Sequence, residues 1–65
     1  LNWVDKNGNT ALICAASRGI PQIVELLLEF GADIDAQNHH GRTALMEAVL
    51  WGHLASVNYI LDKGA

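Results

Sequence analysis

Gly41-Arg42-Thr43-Ala44-Leu45 reads GRTAL, and 33 positions earlier Gly8-Asn9-Thr10-Ala11-Leu12 reads GNTAL. The same offset carries Ala15 onto Ala48, Gly19 onto Gly52, Val24 onto Val57, Leu28 onto Leu61 and Gly31-Ala32 onto Gly64-Ala65. Ten identities fall within the 32 overlapping positions, concentrated on glycines and apolar residues. The chain is therefore one pattern written twice, and a fixed period of this length points to stacked repeats.

Each copy carries the same local signals. Thr10 and Thr43 are N-cap residues ahead of small-apolar runs, ALICAASR and ALMEAVLW, that break at Gly19 and Gly52. Leu12, Ala15 and Ala16 recur at helical spacing, as do Leu45, Ala48 and Val49. The alanines predict close approach of a neighbouring helix. A second helix follows, entered at Pro21 in the first copy, where the missing N–H is harmless. Its apolar set is Ile23, Val24, Leu27 and Leu28, matched by Val57, Ile60 and Leu61 with Leu54 ahead of them. Gly31 and Gly64 close these helices. Ala32 to Ala36 is expected to run extended, with turn formers Asn38 and Gly41 beyond. Helices this short do not persist alone in water, so stability must come from stacking one pair on the next.

Composition narrows the class. The 65 residues are 51% apolar and 17% charged, which argues against disorder, and the net charge of -3 offers no footprint for nucleic acid or acidic membranes. Cys14 is the sole cysteine, which excludes an intrachain disulfide and points to a reducing, intracellular compartment, cytoplasmic or nuclear. The apolar runs are far below the roughly 18 residues of a membrane span. With Leu1 in place of an initiator methionine, the chain is expected to be excised from something longer.

The candidate chemistry is sparse. His39-His40 fall on Lys6-Asn7 under the offset, at the tip of a turn. Adjacent side chains point apart, a zinc site needs a third protein ligand, and His53 lies at the other end of its unit, so a solvated tip is expected rather than a metal. Cys14 sits among alanines with no adjacent base and reads as a packed thiol. None of the carboxylates forms a spaced pair for general acid–base work. Asp5 is expected to bond nearby backbone N–H groups, with Asn38 as its counterpart. The glycines form no phosphate-binding motif. No enzyme activity and no cofactor are expected.

The 33-residue period, G-x-T-A-L, a mid-unit glycine and LLLEFGADIDA together resemble the ankyrin repeat, whose pattern is G-x-T-P-L-H, two helices and G-A-D-V-N-A. The resemblance covers nearly the whole chain. It implies an all-α solenoid of stacked helix-turn-helix pairs joined by β-turn or hairpin-like loops. Residues 1–4 are then the tail of a preceding repeat, 5–36 one repeat, and 37–65 a second, truncated at its C-terminal end, with further repeats expected on both sides. Three departures stand out: Ala11 and Ala44 replace proline, Ile13 and Met46 replace a histidine that bonds neighbouring turns, and Asp35 replaces asparagine.

In such arrays the turn tips and first helices line a concave groove that meets protein partners. Carried onto this chain, those positions are Lys6, Asn7, Asn9, Ser17 and Arg18 in the first unit and His39, His40, Arg42, Leu50 and Trp51 in the second. They differ between units while the framework repeats, as expected if one set serves recognition and the other folding. A non-catalytic protein-protein interaction module is the expectation. The alternatives are an interior spacer in a larger protein, or a substrate of an asparaginyl hydroxylase. For the latter the resemblance implies Asn2 as acceptor, with Asp35 at the matching position of the second unit.

Overall fold

The computed structural model describes residues 3–64, so Leu1, Asn2 and Ala65, and with them the Asn2 expectation, lie outside it. Four helices follow one another: α1 (Ala11–Arg18), α2 (Pro21–Glu29), α3 (Ala44–Leu50) and α4 (Leu54–Asp62). The threonines act as the repeat predicts. Thr10 Oγ1 accepts from the Ile13 N–H at 3.2 Å and Thr43 Oγ1 from the Met46 N–H at 3.3 Å, each satisfying a donor the helix start would leave open. Pro21 opens α2 at its first turn.

Gly19 shows why the break is glycine. It adopts φ +70, and its N–H reaches back to the Ala15 and Ala16 carbonyls to close α1. A Cβ there would also lie 2.4 Å from the His53 ring of the second helix pair.

The helices form two layers: α1 lies along α3, α2 along α4, and each pair closes on itself. The core is Leu12, Ile13, Ala15, Ala16, Val24, Ala44, Ala48 and Ile60. Its alanines allow the close approach of α1 and α3. Burying apolar surface at about 25 cal/mol per Å2 is what holds helices of seven to nine residues in place.

The apolar pattern is buried unevenly, and the unevenness has a direction. Ile13 and Ala16 are covered, at 1% and 0% exposure, whereas their counterparts Met46 and Val49 stand 49% and 60% exposed. Leu54 and Leu61, expected in the core, are exposed, and so is Ile23, whose counterpart Ser56 is fully buried. The second pair covers the face that the first presents forward, and among the described residues nothing covers the equivalent face of the second. Periodicity locates an apolar face without saying whether a neighbour is present.

The segment from Ala32 to Ala36 is not extended. Asp33 Oδ1 accepts from the Asp35 N–H at 3.0 Å and bends the chain at Ile34–Asp35. A side-chain acceptor two residues upstream outcompetes the extended backbone. Among the described residues the β structure is a single isolated bridge, Val4 to Thr10, so the fold is all-α.

Candidate functional site

The surface is built from two knuckles and the inner helices α1 and α3. In the first knuckle Asp5 Oδ1 accepts from the Asn7 and Asn9 N–H groups, both at 2.9 Å, and Oδ2 accepts from Asn9 Nδ2 at 3.2 Å. Asn38 repeats this in the second: its Oδ1 accepts from the His40 N–H at 2.9 Å and the Arg42 N–H at 3.0 Å. The expected pairing of Asp5 with Asn38 is what the geometry shows. The bond from the Asn9 backbone N–H, opposed by partial desolvation, leaves the Asp5 carboxyl below the ordinary carboxylate range.

The change from Asp to Asn has a structural consequence. An amide keeps the acceptor and adds two donors. Asn38 Nδ2 donates to Asn9 Oδ1, across the boundary between knuckles, and to Glu47 Oε2, both at 2.9 Å. Glu47 is the hub that sequence reasoning missed. It is 6% exposed on α3, and it accepts also from Arg42 Nε at 2.9 Å and Trp51 Nε1 at 3.0 Å. Burial pushes its carboxyl up, but the bonds from Arg42, Trp51 and Asn38 outweigh this and hold it below the ordinary range. A nearly buried carboxylate is tolerable because its lone pairs are so fully occupied. The signals in the sequence were slight: a charge inside ALMEAVL, four residues before Trp51 on one helix face.

These bonds hold open a groove of about 240 Å3 between the knuckles and the inner helices. It brings together six of the residues read as partner-binding: Asn7, Asn9, Ser17, His40, Arg42 and Trp51. Lys6, Arg18, His39 and Leu50 are exposed but do not line it. Trp51 stands 61% exposed, its indole N–H held by Glu47 while the ring remains open. Ser17 donates its hydroxyl to the Cys14 carbonyl at 2.9 Å and presents only acceptor capacity to the groove.

The histidines divide in role. His39 is exposed, as expected of a tip, but it is more than solvated. Its N–H donates to the Asn7 carbonyl at 2.9 Å, and its ring rests where a Cβ on Gly8 would come within 2.5 Å. His53 joins the pairs at the opposite end, with Nε2 3.0 Å from the Ser17 carbonyl oxygen. Among the described residues no three His, Cys, Asp or Glu side chains converge as a metal site would require. Cys14 directs its thiol at Asp5 Oδ2, 3.9 Å away. Burial pushes that thiol up and the Asp5 charge adds to the effect, so it stays protonated at neutral pH. No helix among the described residues is long and apolar enough to cross a membrane.

Known proteins share this pattern. The chain is 44% identical over 66 residues to ankyrin repeat and SAM domain-containing protein 6 of Mus musculus, covering all of this chain and 8% of that protein. It is 48% identical over 59 residues to the human (Homo sapiens) NAD-capped RNA hydrolase NUDT12, covering 88% of this chain and 13% of that protein. It is 47% identical over 53 residues to the E3 ubiquitin-protein ligase XBAT33 of Arabidopsis thaliana, covering 82% of this chain and 10% of that protein. The chain thus spans only about a tenth of each relative. The family model described as ankyrin repeats (3 copies) matches residues 1–65, and the chain belongs to the ankyrin repeat family.

Proposed function

We propose that this chain is a non-catalytic protein-binding module that presents its knuckles and inner helices as a concave surface to a protein partner inside the cell. One observation carries the reading. Trp51 leaves most of its ring open at the rim of a polar groove, yet its N–H is anchored on a buried carboxylate. A tryptophan fixed in orientation and open on its face is the residue type enriched at binding hot spots. The knuckle bonds hold the surface before any partner arrives, so little ordering entropy is lost on association. Lys6, Asn7, Asn9, Ser17, Arg18, His39, His40, Arg42, Leu50 and Trp51 form the proposed contact set, with no cofactor. The hydrolase and ligase activities named in two relatives are not carried over to this chain, which spans about a tenth of each.

The open apolar faces favour a second, compatible reading as interior repeats. Met46 and Val49 on one side and Ile23 and Leu26 on the other are placed to receive further helix pairs. A spacer role would use those faces and leave the groove idle.

The test is Trp51→Ala in the complete parent protein, read by affinity capture and titration against whatever co-purifies. A loss of more than about 1 kcal/mol with an unchanged circular dichroism spectrum is expected. Unaltered affinity removes Trp51 from the surface and favours the spacer.

A further inference from the structure

We infer that the groove takes an acidic, extended segment of a partner protein, with a carboxylate on the free edge of Arg42 and a neighbouring apolar side chain on Trp51. This rests on the partner-binding reading above and names the partner's chemistry.

Positive charge concentrates on the knuckles and inner helices although the chain is acidic overall, at -3. Three of the four lysines and arginines, Lys6, Arg18 and Arg42, belong to the knuckles and inner-helix segments. The fourth, Lys63, lies 5.4 Å over the Tyr59 ring at the end of α4. Of the seven carboxylates, Asp5 and Glu47 are tied into the knuckles by hydrogen bonds. The other five stand on α2, α4 and the bend after α2, and none lines the groove. The knuckles and inner helices thus carry Lys6, Arg18 and Arg42 against Asp5 and Glu47, a surplus of one positive charge, while the remaining five carboxylates are set against Lys63 alone. Such sorting sets both approach and specificity.

Arg42 supplies the direction. Its Nε is committed to Glu47, while among the described residues its two terminal nitrogens make no hydrogen bond, and 40% of the side chain is exposed. Glu47 offsets the Arg42 charge, so this edge acts as a donor fork, while Lys6 and Arg18, partly offset by Asp5, provide the net field. A planar fork of N–H donors matches a carboxylate. Glu47 also holds the Trp51 N–H, so the ring offers the partner an apolar plate and no donor. The volume of about 240 Å3 falls below the roughly 300 Å3 at which small-molecule sites begin, and suits one or two side chains of an extended chain.

The experiment selects random linear peptides by phage display on the folded protein and titrates the recovered peptides by fluorescence anisotropy. Recovered sequences are expected to share an aspartate or glutamate within two positions of an apolar residue. Their affinity should fall at least about tenfold in K6E/R18E and in W51A at low salt, with the K6E/R18E difference shrinking at high salt. Circular dichroism checks that each variant folds. Neutral or basic peptides that still depend on Trp51 overturn the acidic assignment and leave the groove reading standing. Peptides indifferent to W51A, or a selection that recovers nothing, overturn both. A single-stranded oligonucleotide that competes with equal affinity overturns the acidic-peptide assignment in favour of nucleic acid.

Discussion

Ser56 is buried at 0% exposure on α4, and among the described residues its hydroxyl has no hydrogen-bond partner. A hydroxyl taken from water without replacement costs roughly 1–3 kcal/mol. Ser56→Ala is therefore expected to stabilise the fold by about 1 kcal/mol, seen as a higher urea midpoint at constant m-value; a lower midpoint would mean that the hydroxyl is satisfied. The opposite case is Asn38, each of whose side-chain heteroatoms is in use. Asn38→Asp keeps the knuckle's acceptor but turns a donor into a second anion facing Glu47. A loss of about 2 kcal/mol at neutral pH is expected. The wild-type pH dependence follows from the depressed Glu47 carboxyl. Its contribution is complete above the ordinary carboxylate range and is lost as pH falls through the folded-state value. In the variant, protonating either carboxylate relieves the repulsion, so the deficit against wild type should narrow on acidification. Urea midpoints measured from neutral to acid pH check this, and a constant deficit would show that the two carboxylates do not interact.

At the scale of elements, the two units differ at positions where the sequence is identical. Gly8 and Gly41 have φ +79 and +74, but the His39 ring lies against Gly8, while a Cβ at Gly41 would meet nothing within 4 Å among the described residues. Gly41→Ala should cost about 1–2 kcal/mol from the left-handed backbone alone. Gly8→Ala should cost about 0.5–1 kcal/mol more, an excess that disappears in a His39→Ala background because the ring is then gone. Chemical denaturation of the four variants settles it, and equal costs at both glycines would deny the ring its resting place. The identity of these glycines, the threonine caps and the Asp5/Asn38 pairing were legible because they satisfy local backbone demands that recur in each unit. Glu47, Ser56 and the bend at Asp33 were not. Glu47 is meaningful only once α3 sets it beside Asn38 and Arg42, and Ser56 only once α4 turns toward the first pair. The Asp33 bend is a local alternative that apolar periodicity does not register.

On the scale of the whole molecule, the stack is directional and open. Two histidine rings of the second unit rest against glycines of the first: His39 on Gly8 and His53 on Gly19. Among the described residues the equivalent glycines of the second unit, Gly41 and Gly52, have free space in front of them, and Met46, Val49 and Leu61 of that unit stand 49%, 60% and 49% exposed. In a one-dimensional array, stability is a sum of unit and interface contributions, so this face registers substitutions only when a neighbour is docked on it. Val49→Lys is the sharpest probe, because its counterpart Ala16 is fully buried beneath the second pair. In the 65-residue chain it is expected to shift stability by less than about 0.5 kcal/mol, as for a surface change. In a chain extended by one further helix pair in the same 33-residue register, the ammonium is trapped without a partner, and the cost should exceed about 2 kcal/mol. Urea unfolding of both lengths, with and without the substitution, reads the difference directly. Equal costs in the short and the extended chain would show that the face around Val49 is not where the next unit stacks.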